Sequence, residues 1–181
     1  MVDEARGVAV RLFYAIFPPH HLQQELAQLQ EPLKAYRGWK PVLPAHLHLT
    51  LLFLGEVPPE ALEEVRAAGE RVAGSTSPLK LHLGGTGYFP PQGTPRVWYL
   101  KVTGEGLEEL ALRLRRELHR EDPFQPHLTL ARRKAPAPRL PPVRLNREFA
   151  VREISLVHSE LSEKGPAYRV LYRFALKGKL I

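Results

Sequence analysis

The sequence predicts an α+β fold of antiparallel or mixed sheets with helices between some of the strands. Three observations carry this reading. Short stretches alternate apolar and polar residues with period two, other stretches repeat leucine at spacings of three and four, and prolines punctuate the boundaries between them. At 181 residues and 44% hydrophobic content, a single domain over residues 1–181 with a sizeable core is expected.

The first strand is expected over residues 8–17, where Val8, Val10, Leu12, Tyr14 and Ile16 alternate, and Pro18-Pro19 ends it. Leu22, Leu26, Leu29, Leu33 and Tyr36 then form one apolar stripe, which predicts a helix over 19–36. Pro41 and Pro44 break the chain before a strand over 47–54, closed by Gly55. Pro58-Pro59-Glu60 opens a second helix with Leu62, Val65, Ala68 and Val72 inward, and residues 74–78 form a loop. Strands over 79–83 and 96–102 are expected to pair as a hairpin across a long Gly- and Pro-rich loop. A third helix follows with Leu107, Leu110, Leu114 and Leu118 inward and Arg113, Arg116 and Arg120 outward. Pro123 and Pro126 introduce another strand, 132–145 reads as an exposed loop, and strands over 149–159 and 168–177 close the chain. In the last of these, Tyr168, Val170, Tyr172, Phe174 and Leu176 are placed on one face.

Composition narrows the chemistry. With no cysteine there is no disulfide, thiol nucleophile or thiolate metal site. No run of 18 apolar residues occurs and the start Met1-Val2-Asp3-Glu4 lacks a signal-like pattern, so a soluble, cytoplasmic protein is expected. One methionine, a lone asparagine at Asn146 and 18 prolines lean toward a heat-adapted source. Charge is uneven: residues 1–90 carry 8 basic and 9 acidic side chains, whereas 91–181 carry 18 and 10. A positive field of that kind attracts nucleotides and nucleic acids.

The chemistry-bearing feature is a repeat: His48-Leu49-Thr50-Leu51 and His127-Leu128-Thr129-Leu130 are identical tetrapeptides, each on an expected strand behind a proline pair. Side chains two apart in a strand share a face at about 6.6 Å, so each histidine and its threonine look into the same space. Two such strands facing each other give one pocket two imidazoles and two hydroxyls. Imidazole holds or releases a proton near neutral pH, and a hydroxyl donates to anionic oxygens. The set suits metal-free acid and base chemistry on a phosphate, one histidine neutral and the other charged. The leucines are left to pack the core.

The run from Leu43 through His48, Thr50 and Phe53 to Glu56, with the run Pro126-His127-Leu128-Thr129-Leu130-Ala131-Arg132, resembles the two signature motifs of the 2H phosphoesterases. Within that superfamily the chain is similar to the bacterial and archaeal RNA 2′,3′-cyclic phosphodiesterases, also described as 2′-5′ RNA ligases. The likeness extends to the opening strand Arg11-Leu12-Phe13-Tyr14-Ala15-Ile16 and covers most of the chain. The resemblance implies a two-lobed α+β fold, one motif strand per lobe facing a central cleft. It implies that His48 is the proton donor to the leaving 3′ oxygen and His127 the proton acceptor for the attacking water. Thr50 and Thr129 would hold the non-bridging oxygens, and Arg132 would neutralise phosphate charge. The expected product is a 2′-phosphate, with no cofactor or metal, the expected partner an RNA or oligonucleotide with a 2′,3′-cyclic phosphate end, and the expected state a monomer.

Other uses of the same residues stand beside this one. The protein could join RNA ends through a 2′-5′ linkage, or bind an RNA end or nucleotide without turnover. A zinc site from His46, His48 and His127 lacks a fourth ligand and leaves both threonines unexplained. His46 reads as strand filler or a rim contact, Arg133 and Lys134 as part of a basic rim, and Tyr88, Phe89 and Trp98 as packing residues or base-stacking candidates. His20, His21 and His82 show no partner pattern.

Overall fold

The computed structural model describes residues 9–179. The elements are β1 (Val10–Ile16), α1 (His20–Gln30), β2 (Trp39–Pro41), β3 (Leu49–Val57), α2 (Leu62–Gly74), β4 (Leu79–Phe89), β5 (Val97–Thr103), α3 (Leu107–Glu117), β6 (His127–Arg133), β7 (Arg144–Val151), β8 (Glu153–Ser162) and β9 (Gly165–Ala175). The strands form one antiparallel sheet in the order β7-β4-β5-β6-β3-β1-β8-β9, with β2 pairing alongside β6. The α+β expectation is met, with the sheet antiparallel rather than mixed.

The seam of the sheet is where β6 meets β3, through the single aligned pair Leu49 and Leu128. These are the second residues of the two tetrapeptides. An antiparallel pair centred there places His48 across from Thr129 and Thr50 across from His127. Along the main path four strands lie on each side of that seam, β2 being the ninth.

All three helices contribute to one large apolar cluster, together with alternate residues of β1 such as Leu12, Tyr14 and Ile16. On the opposite face of β1, Phe13 and Ala15 join Val157 in a small cluster that includes no helix residue. The helices therefore cover one face and leave the other for the cleft. Gly69 of α2 makes the close approach to β1: a Cβ there would lie 2.8 Å from Tyr14 Cε1 and 2.9 Å from Phe174 Cε2. Burying each large side chain of this cluster contributes roughly 1.5–3 kcal/mol. No helix among the described residues is long and apolar enough to cross a membrane.

Several boundaries differ from the sequence expectation. Val8 lies outside the described residues. The helix expected over 19–36 stops at Gln30 and tightens to a 3₁₀ turn over Glu31–Ala35, because Pro32 supplies no N–H to continue the ladder. Leu33 stays buried while Tyr36 is exposed. Pro41 does not merely break the chain but closes the short strand β2. The loop expected from Gly84 onward is strand as far as Phe89, and the loop expected over 132–145 is strand at both ends. The single strand expected over 149–159 is two strands: β7 pairs with β4, whereas β8 pairs with β1. Along β9, a bulge at Leu171 puts Tyr168 and Val170 against the small cluster and Phe174 and Leu176 in the large one, so the five residues do not share a face.

Candidate active site

Each tetrapeptide ends in a bulge. Opposite β1, Thr50 pairs with Ala15 and Leu52 with Tyr14, leaving Leu51 as the extra residue. Opposite β5, Thr129 pairs with Tyr99 and Ala131 with Trp98, leaving Leu130 extra. Leu49, Leu51, Leu128 and Leu130 are all at most 1% exposed, as expected of core leucines. The bulge reverses the parity of the strand that follows. In an unbroken strand Arg132, five residues past His127, would face away from it. With Leu130 bulged, Arg132 faces the cleft, where it lines one cavity together with His48, Thr50, His127 and Thr129. All five residues singled out from the sequence thus come together.

Each bulge is held by a buried polar side chain from the helical face. Gln30 Nε2 donates to Leu130 O at 2.8 Å and to Val42 O at 2.7 Å. Arg115 Nη1 donates to Leu51 O at 2.8 Å, while its remaining donors reach Ala111 O and both the carbonyl and carboxylate of Asp122. The helical-stripe pattern misses both residues, because it assigns polar side chains to solvent. Their signal is position: Gln30 sits one helical turn from Leu26 and Leu33, and Arg115 one turn from Ala111 and Leu118.

The imidazoles are oriented alike. His48 Nδ1 lies 2.6 Å from His46 O and His127 Nδ1 lies 2.6 Å from Gln125 O. A carbonyl only accepts, so each Nδ1 carries the hydrogen and each neutral ring presents a bare Nε2. His48 Nε2 accepts from Thr50 Oγ1 at 2.9 Å. Both rings titrate below the ordinary histidine value. Burial pushes His48 down to about 4, with Arg132, His46 and His127 adding repulsion, while the His46 carbonyl opposes the shift. His127 is lowered for the same first reason, with Arg132 adding to it.

Aromatic rings frame both histidines. Phe13 and Phe17 lie 5.0 and 5.6 Å from His48, and Tyr168 meets it edge-on at 5.5 Å. Phe89, stacked on Tyr99 at 4.2 Å, meets His127 edge-on at 5.0 Å. Nothing local in the sequence links Tyr168 or Tyr99 to the motifs. Of the other candidates, Trp98 is buried in the core and Tyr88 packs on Trp39 while its hydroxyl donates to Leu140 O. His46 is not on the motif strand but in a 3₁₀ turn, its ring tilted against Tyr168 at 4.4 Å on the cavity rim. His82 pairs with Asn146. Among the described residues no three His, Asp or Glu side chains group as a metal site requires.

The cavity is lined by Lys40, Arg132, Lys134 and Lys164 and by no acidic residue. It offers two bases, two hydroxyls and surrounding positive charge, a set that accepts an anionic tetrahedral group and moves protons on either side of it.

Comparison with known proteins agrees with this geometry. The family described as LigT like Phosphoesterase matches residues 16–99 and 101–168. An RNA 2′,3′-cyclic phosphodiesterase of Thermus thermophilus is 50% identical over 94% of this chain and 92% of its own length, and that source fits the heat-adapted composition. A crystal structure of a Thermus thermophilus protein superposes with a TM-score of 0.91 at 48% identity, covering 94% of this chain and 100% of that one. Escherichia coli LigT complexed with 3′-AMP superposes with a TM-score of 0.81 at 30% identity, covering 93% and 98%. The chain belongs to the LigT-like phosphoesterases of the 2H superfamily.

Proposed function

We propose that this protein hydrolyses the 2′,3′-cyclic phosphate at an RNA 3′ end to a 2′-phosphomonoester. The observation that carries the reading is the convergence of two His-x-Thr pairs on one cavity lined with cations and no acid. The activity named for its 50% identical relative supports the choice of substrate. The two halves of the sheet act as one two-lobed unit around that cavity.

In the reaction, a water oxygen bonds to phosphorus as the bond from phosphorus to O3′ breaks. His127 Nε2 takes the water proton, His48 gives its Nε2 proton to O3′, and the ester at O2′ remains. Thr50 and Thr129 donate to the non-bridging oxygens, and Arg132 offsets their charge. Burial holds His48 neutral in the free protein, so it gains its proton together with the anion, whose charge favours imidazolium. Once protonated, Nε2 no longer accepts from Thr50, and that hydroxyl is released to the phosphate. The general acid and the general base are each worth about 10²- to 10⁴-fold.

The test is an oligonucleotide ending in a 2′,3′-cyclic phosphate, incubated with the protein and a chelator. Conversion to the 2′-phosphate is expected; no conversion, or conversion only with added metal, contradicts the proposal. A second strand with a 5′-hydroxyl in the same tube tells whether water or that hydroxyl is preferred.

A further inference from the structure

Among the described residues some cations pair with acids and others do not, and four of those without an acid cluster beside the cleft. Away from the cleft, Arg66 pairs with Glu63 and Glu70, Arg71 with Glu117 at 2.9 Å, Arg115 with Asp122 at 3.1 Å and Arg147 with Glu25 at 2.6 Å. Among the described residues, Arg96, Arg132, Arg133 and Lys134 have no acidic partner. They line a second cavity with Phe89 and Gln125, again without an acid, and it shares Arg132 and Lys134 with the first. Four neighbouring positive charges without compensation repel one another, an arrangement that a bound polyanion relieves.

This second cavity is built rather than incidental. The N–H of Arg133 donates to Arg96 O at 2.8 Å, which fixes the two arginines side by side at the end of the β5·β6 ladder. Arg133 Nε is buried with no hydrogen-bond partner among the described residues. An unpaired buried donor is costly, so a ligand oxygen there would recover energy. Arg133 lines the second cavity but not the one that holds the two histidines, so a phosphate held there is not the one being hydrolysed. Phe89, between the two cavities, offers a ring face of the kind on which bases stack.

We infer that the groove between the β4–β5 tip and the far end of β6 seats the backbone on the 5′ side of the reacting nucleotide. The substrate class is then a single-stranded RNA chain with several phosphates, read by charge and stacking rather than by sequence. This rests on the hydrolase reading above and adds to it where the rest of the chain lies.

The experiment compares 2′,3′-cyclic AMP with oligoadenylates of two to eight nucleotides ending in the cyclic phosphate, measuring kcat/KM and its salt dependence. Lengthening the chain is expected to raise kcat/KM roughly ten-fold or more through KM, each added phosphate contact steepening the salt slope by about 0.7. Arg96→Ala, at an exposed position, should remove most of that gain and leave the mononucleotide unchanged. Arg116→Ala on α3, with the same change of charge, should alter neither. Absence of a chain-length effect, or equal loss on mononucleotide and oligomer in Arg96→Ala, overturns the inference while leaving hydrolysis of the mononucleotide intact. Anisotropy of a labelled oligoadenylate gives an independent reading. Salt-sensitive binding weakened by Arg96→Ala but not by Arg116→Ala, without turnover, would sink the hydrolase reading and keep the groove.

Discussion

The half of the cleft built on His48 and the half built on His127 begin identically and then part. Both carry His-Leu-Thr-Leu, both pin Nδ1 to a carbonyl two residues back, and both bulge at the last leucine. Five residues past each histidine the bulge brings a side chain to the cleft face: Phe53 in one half, Arg132 in the other. Phe53 is 51% exposed with the Arg11 guanidinium 5.5 Å over its ring, whereas Arg132 turns into the cavity. The environments differ as well. His48 is wrapped by Phe13, Phe17 and Tyr168 and bound to its own threonine, while His127 faces Phe89 and Tyr99 beside the basic groove. A symmetric frame thus carries unequal surroundings: the backbone repeats, while the side chains around each imidazole do not.

The two halves should respond most strongly at the imidazoles. His48→Ala and His127→Ala should each lower kcat by about 10²- to 10⁴-fold with little change in Tm, measured by turnover of a cyclic-phosphate oligonucleotide and by thermal melting. A loss confined to one of them would mean the halves are not both catalytic. Next comes the divergent position. Arg132→Ala should cost about 10- to 100-fold in kcat/KM, the range of a charged hydrogen bond, whereas Phe53→Ala should change it less than about three-fold.

The latches should separate stability from function. Arg115→Met strips Leu51 O and Asp122 of their partner and should destabilise by about 2–4 kcal/mol, lowering Tm by ~5–15 °C. Gln30→Met should destabilise by about 1–3 kcal/mol and also raise KM several-fold, since the bulge it holds aims Arg132. If Gln30→Met left KM untouched, the bulge would not be what places Arg132.

The smallest effect is in pH. In the free protein both histidines lie below 6.5, His48 near 4, so the alkaline fall of kcat/KM should begin below pH 6.5, because the proton donor is already neutral above that. The profile of kcat should extend to higher pH, since the bound phosphate raises both. Coincident profiles would argue that the anion does not charge the cleft.

Much of this was legible in the sequence because the decisive residues are local. The His-x-Thr spacing needs only period two, and the core leucines of both motifs follow from the same alternation. The family likeness pointed to Arg132, but simple alternation would have placed it on the wrong face. The bulges that reverse it are set by partners far along the chain, Leu130 with Gln30 and Leu51 with Arg115. The division of residues 144–162 between opposite sides of the sheet was hidden for a similar reason: pairing with β4 or β1 is not written in the apolar pattern of either strand. Tyr168 and Phe89 reach the histidines only through tertiary packing.

The claim that a symmetric frame is used asymmetrically is tested most directly with a substrate whose leaving O3′ is replaced by sulfur. A thiolate leaves without a proton, so a missing general acid ceases to matter and a missing general base does not. The sulfur substrate is expected to restore most of the rate lost in His48→Ala and little of that lost in His127→Ala. Restoration of His127→Ala instead, or of both variants equally, would contradict it.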